Sequence, residues 1–164
     1  MKKLLLILLC LPFIGFGQSC KYQKNEIDKF TKKEIKITKE KILWKNPMGG
    51  NTLSFYLSSV NDKKSITIRY SKGSVFTIKN GNSLALLLEN GESLNLQTPI
   101  SVVSTYSGSN WYAYANYSLP EDAISLLNAH NLTDVRIITT KSFIDKTIKG
   151  KKQARIIENL KCID

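Results

Sequence analysis

Few residues in this chain are of types that do chemistry, and their spacing fits no catalytic set. His130 is the single histidine, so any Ser-His-acid relay must run through it. It sits at the polar exit of a helical run, between Asn128 and Asn131, where the helix macrodipole favours a cation. A surface cap is the plainer account. No Gly-x-Ser-x-Gly elbow and no Ser-x-x-Lys pair is present. Two carboxylate pairs stand out, Glu89 with Glu92 and Glu121 with Asp122. A glycosidase pair must face one cleft about 5–10 Å apart. The first two acids flank an Asn90-Gly91 turn and the other two open a helix, places that acids occupy for structural reasons. Gly49-Gly50 and Gly73 lie between strands, with no helix start behind them to cradle a phosphate. No residue is assigned a catalytic role, and no cofactor is expected.

Binding chemistry is better represented. Tyr106, Trp111, Tyr112, Tyr114 and Tyr117 fall within twelve residues, separated by Ser, Asn and Ala. In an extended strand Trp111, Ala113, Ala115 and Tyr117 share one face, and Tyr112, Tyr114 and Asn116 share the other. One face must look inward. If the tyrosine face is exposed, it offers large, stiff, amphipathic contact area to a sugar or a peptide. The competing account is ordinary aromatic packing across a sheet. Tyr106, Trp111, Tyr112 and Tyr114 are the candidate binding residues.

The cysteines speak to compartment. Lys2 and Lys3 precede an apolar run, Leu4 to Phe16, and Gly15-Phe16-Gly17 supplies small residues where a signal peptidase reads. Residues 1–17 read as a secretory signal peptide. The run is too short to cross a hydrocarbon core of about 30 Å, which needs about 20 apolar residues. Cleavage removes Cys10 and leaves Cys20 and Cys162, an even count that favours a disulfide in an exported protein. The alternative is lipidation of Cys20 as a bacterial membrane anchor, although Gln18 fits that pattern poorly. Two cysteines and one histidine do not close a tetrahedral metal site, so none is expected.

The formal net charge of +11 is unevenly placed. Lys21 to Lys45 holds nine lysines, Lys141 to Lys161 holds six lysines and Arg155, and residues 80–130 hold no Lys or Arg. Such ends attract anionic partners, or else form a solvated face paired with the acidic middle. Export, and lysines not interleaved with stacking aromatics, argue against nucleic acid.

The elements that must position these residues are mostly strands. Residues 18–33 read as an irregular basic arm with one helical turn. Alternating runs follow at Ile35–Ile37, Leu53–Leu57, Ile66–Tyr70 and Val75–Ile78, with turns at Asn46–Gly50, Asn61–Lys64 and Ser71–Gly73. Leu84–Leu88 and Ser93–Gln97 read as a hairpin through a type I′ turn at Asn90-Gly91. Ile100–Thr105 and Trp111–Tyr117 follow. Ser118-Leu119-Pro120-Glu121 reads as a capping box opening a helix with Ala123, Ile124, Leu126 and Leu127 on one face. Strands at Val135–Ile138 and Phe143–Ile148 then form a hairpin, and Lys151–Lys161 a final helix. Strands followed by segregated helices indicate α+β with a mostly antiparallel sheet of about eight strands. Residues 18–164 form one domain.

The signal ending in Gly-Phe-Gly-Gln, the string Asn25-Glu26-Ile27-Asp28-Lys29-Phe30-Thr31, the Ser118-Leu119-Pro120-Glu121-Asp122 helix opening and the ending Leu160-Lys161-Cys162 resemble small secreted proteins of Bacteroidota. The resemblance implies a compartment and carries no activity. The expectation is a non-catalytic secreted or periplasmic domain that binds an envelope component, whether anionic, glycan or protein. The rival readings are a lipoprotein anchored through Cys20 and a hydrolase working through carboxylates.

Overall fold

The computed structural model describes residues 20–163; the expected signal peptide, 1–17, lies outside the described residues. The chain runs β1 (Tyr22–Ile27), β2 (Glu34–Thr38), β3 (Lys41–Lys45), β4 (Thr52–Val60), β5 (Lys63–Lys72), β6 (Thr77–Ile78) and β7 (Gly81–Leu88). It continues β8 (Ser93–Thr98), β9 (Val102–Val103), β10 (Thr105–Ser107), β11 (Asn110–Ser118), α1 (Glu121–Ala129), β12 (Leu132–Ile138), β13 (Phe143–Thr147) and α2 (Arg155–Leu160). The α+β class with antiparallel sheets, expected from the order of patterns, is what the structure shows.

One sheet has the order β1-β2-β4-β5-β11-β10, with β3 also paired to β4. A second has the order β13-β12-β7-β8, and β6 pairs with β9. Alternation sends one face of each strand inward. Leu53, Phe55 and Leu57 of β4, Ile66, Ile68 and Tyr70 of β5, and Ala113, Ala115 and Tyr117 of β11 are buried. They meet Leu84, Leu86 and Leu88 of β7 and Val135 and Ile137 of β12 in one core. Each buried Leu, Ile or Phe contributes about 1.5–3 kcal/mol of hydrophobic stabilisation. Helix α1 adds Ala123, Ile124 and Leu127, packs on α2, and α2 in turn reaches β4.

The structure departs from the sequence pattern in four places. The N-terminal arm is not irregular: β1 pairs antiparallel with β2, Ile27 opposite Glu34. Its lysines suit an edge strand, where charge discourages further strand addition. The type I′ turn lies elsewhere. Asn61 and Asp62, between the paired Val60 and Lys63, carry φ of 52° and 65°, the geometry of that turn. At the Asn90-Gly91 hairpin Leu88 N–H donates to Glu92 O, closing a three-residue loop in which Gly91, at φ 87°, is the left-handed residue. Ser118 does not cap α1. It remains in the ladder opposite Ser65, the backbone is still extended at Pro120, and no side chain caps the helix. The last helix divides into a 3-10 turn at Gly150–Lys152 and α2.

Cys20 and Cys162 form a disulfide with Cα atoms 5.5 Å apart, and the Tyr22 hydroxyl donates to the Cys162 carbonyl at 2.7 Å. The first strand and the last helix are thereby fastened together, as the cysteine count suggested.

Candidate functional site: the tyrosine face of the large sheet

The site begins with a break in the sheet edge. Strands β2 and β3 follow one another along the same edge of β4, Ile37 opposite Ser58 and Lys41 opposite Phe55. Between them the chain steps out of the ladder. The buried Thr38 hydroxyl accepts the Leu57 N–H at 2.9 Å, filling in for a backbone carbonyl. That step carries Glu40 over the polar face of β4 and β5. There its carboxylate accepts from the Ser54 hydroxyl and from Arg69 Nη1 at 3.0 Å.

Arg69 is the centre of this face. It stands opposite Tyr114 in the β5–β11 register. Its guanidinium lies 4.4 Å from the Tyr112 ring centroid and 5.6 Å from that of Tyr114, within cation–π reach. Burial pulls the Arg69 guanidinium down, but the hydrogen bond and charge of Glu40, joined by Tyr114 and Tyr112, outweigh it and leave the group above its ordinary value. Further along the same face Asn116 donates to Thr67 and Ser65 at 2.9 and 3.1 Å, and Ser58 and Ser65 share a hydrogen bond. The floor is thus a hydrogen-bonded layer of small hydroxyls that holds the longer side chains above it.

Strands β9 and β10 raise one wall. Val102, Val103, Thr105 and Ser107 enclose, with Arg69, Tyr112 and Tyr114, an open groove of about 580 Å³. Tyr114 is 51% exposed and Val103 63% exposed. Chemically the groove offers two aromatic rings, hydroxyl groups and a charge pair that is already neutralised.

The four aromatic residues singled out from the sequence do not form one platform. Tyr112 and Tyr114 line the groove. Trp111 points to the other face of β11, toward the core, where Tyr106 covers it with ring centroids 5.4 Å apart. Tyr106 is exposed because β10 is the edge of the sheet. Arg69 and Glu40 were not singled out. Arg69 had a visible signal, as a large cation between Thr67 and Ser71 on the polar face of β5. Glu40 had none, because the step in the chain that aims it depends on Thr38 replacing a ladder bond.

The carboxylates hold the positions their sequence context implied. Glu89 accepts from Asn131 N–H and side-chain Nδ2, and these bonds hold its carboxyl below the ordinary range. Glu92 is held within the turn: its N–H donates to Asn90 Oδ1 and its carboxylate accepts from Asn90 Nδ2, both at 3.0 Å. Glu121 and Asp122 lie in the first turn of α1, and His130 follows its last residue. Two other acids, Asp134 and Asp145, share a groove of about 340 Å³ on the outer face of the small sheet. Each is engaged. Asp134 accepts from Thr147 at 2.7 Å, and both oxygens of Asp145 accept from Arg136 at 2.7 Å. Among the described residues no group of three His, Cys, Asp or Glu is placed to hold a metal, and no helix is long and apolar enough to cross a membrane.

Comparison with protein-family models, with curated proteins and with solved structures gives no match for this chain. The fold and the tyrosine face therefore define its class: a disulfide-closed, antiparallel α+β domain with an open aromatic groove on its large sheet.

Proposed function

We propose that this is an exported binding domain, working in the envelope or outside the cell, and that the groove of Tyr112, Tyr114 and Arg69 docks a neutral carbohydrate. The observation that carries the reading is Tyr114, half in solvent beside Tyr112 in a groove whose one charged pair, Arg69–Glu40, is internally balanced. An exposed ring suits the apolar face of a sugar. The hydroxyls of Thr105 and Ser107 and the Arg69–Glu40 pair suit its hydroxyl groups. Nothing in the groove selects for a ligand of one charge.

Export is supported by the disulfide, which persists in oxidising compartments, together with the signal-like N-terminus. The same bond speaks against anchoring through Cys20, whose sulfur is engaged with Cys162. Against a carboxylate hydrolase stands the engagement of Asp134 and Asp145 by Thr147 and Arg136.

The test is a glycan array probed with the exported chain, followed by titration of the best ligand. A neutral oligosaccharide is expected, held at least tenfold more weakly by Tyr114→Ala, with little dependence on salt. An array without neutral ligands, or affinity unmoved by Tyr114→Ala, would overturn the reading. A protein captured through the same residues would redirect it to the peptide alternative.

A further inference from the structure

The two lysine-rich ends of the sequence meet in space at a second site, which shares no lining residue with the tyrosine groove. Lys45 closes the first basic segment, and Lys146, Lys149 and Lys152 belong to the last. Together with Trp44 they line an open cleft of about 450 Å³, between β3 on one side and β13 with the 3-10 turn on the other. The cleft is built on rigid elements: Leu43 beneath it is buried and Trp44 packs against the core.

Positive charge outnumbers negative on the lining of this cleft, four lysines to one acid. Lys45, Lys149 and Lys152 make no ion pair among the described residues. Lys146 stands with its ammonium 4.2 Å from the Trp44 ring centroid. Asp145 is the single acid on the lining, and Arg136 already takes both its oxygens. Lys146 and Lys152 are half-buried, and partly buried charges are screened less than fully exposed ones. Like charges held on one frame in excess of the counter-charge form a site of positive potential that favours an anion.

The type of cation narrows the ligand. Arginine's planar fork matches carboxylate, whereas lysine acts as a compact point charge with freely rotating donors. Four lysines lining one cleft suit a compact oxyanion carrying more than one charge. We propose that the Trp44 cleft binds a phosphomonoester, the chemistry shared by a phosphorylated sugar and the headgroup of phosphatidate. This site is independent of the tyrosine groove, and its ligand class is different.

Trp44 reports on it directly. In a Trp111→Phe background it is the only tryptophan left, since the chain has two. The disulfide-bonded protein is titrated with glucose 1,6-bisphosphate, and in a separate arm with phosphatidate–phosphatidylcholine vesicles against pure phosphatidylcholine. A saturable change in Trp44 emission is expected in at least one arm, and the arm that responds identifies the source of the phosphate. Lys149→Ala with Lys152→Ala should raise the dissociation constant at least tenfold, and Tyr114→Ala should leave it unchanged. Circular dichroism checks that the lysine variants keep their fold. No saturable response in either arm overturns the proposal. So does an equal loss in Lys29→Ala with Lys33→Ala, which lie in the β1–β2 turn and would report net charge alone. Trigalacturonate bound as tightly as the bisphosphate would overturn the phosphate selectivity.

Discussion

Asp145 shows how single side chains here respond to pH. The hydrogen bonds from Arg136 are the main cause holding its carboxyl below the ordinary 3.8, with burial opposing and the charges of Arg136 and Lys146 assisting. A carboxyl lowered on folding stabilises the folded state above its unfolded value and ceases to do so as pH falls through the folded one. The Asp145 contribution is therefore present above about 3.8 and lost below it, as carboxyl NMR titration should show. Because the pair is half exposed, Asp145→Asn should change stability at neutral pH only slightly. Tyr117 behaves in the opposite sense. Burial pushes its phenol above 10.0, against a smaller opposing effect of the Ser83 hydroxyl. Its neutral form belongs to the folded state, so that contribution is present below 10.0 and lost as pH rises through the higher folded value. Absorbance at 295 nm should show the Tyr117 phenol ionising above 10.0. Its hydroxyl shares a buried 3.2 Å hydrogen bond with Ser83. Tyr117→Phe leaves Ser83 without that partner and should cost about 1–3 kcal/mol in urea unfolding. Adding Ser83→Ala should recover part of the loss.

At the scale of elements, turn chemistry decides the hairpins. Asp62 sits at φ 65° in the two-residue loop between β4 and β5, so Asp62→Val should destabilise by about 1–2 kcal/mol. At Gly91 a Cβ would meet nothing within 4 Å, so the cost of Gly91→Ala is conformational, about 1 kcal/mol. Melting temperatures of the two variants check both values. The hairpin β7–β8 was legible from its alternation and its Asn-Gly pair. Its turn type was not, because Leu88 pairs with Glu92 and leaves three residues in the loop rather than two. The helix opening misled for a related reason. Ser118 has the right spacing for a capping box, but the β5–β11 ladder runs on through it and fixes it as extended.

Over the whole molecule, the disulfide is the longest-range constraint, joining residues 142 apart in sequence. In the chain-entropy account, closing such a loop stabilises the fold by up to about 5 kcal/mol, so Cys20→Ser or reduction should lower the urea midpoint substantially. An intact, non-reduced mass of the protein from its native host tests the export reading. The expected mass starts at Gln18 and is two hydrogens short of the reduced chain. A mass starting at Cys20 and carrying acyl chains would replace the export reading with a membrane-anchored one.

Local pattern alone determined the strand-rich class and the two-faced reading of β11, because period-two alternation is written residue by residue. It favoured a Cys20–Cys162 bridge over lipidation of Cys20, and the tertiary structure decided for the bridge. Tertiary structure alone decided what those elements face. The sequence placed Tyr112 and Tyr114 on one side of a strand, but Arg69 reaches them from β5 and Glu40 from the step between β2 and β3. The same holds for the basic ends, which read as two separate runs until the fold brought Lys45 beside Lys146, Lys149 and Lys152. Side-chain alternation is a local property of the backbone, whereas the neighbour across a sheet or a cleft is set by register and sheet order, which depend on how the entire core packs.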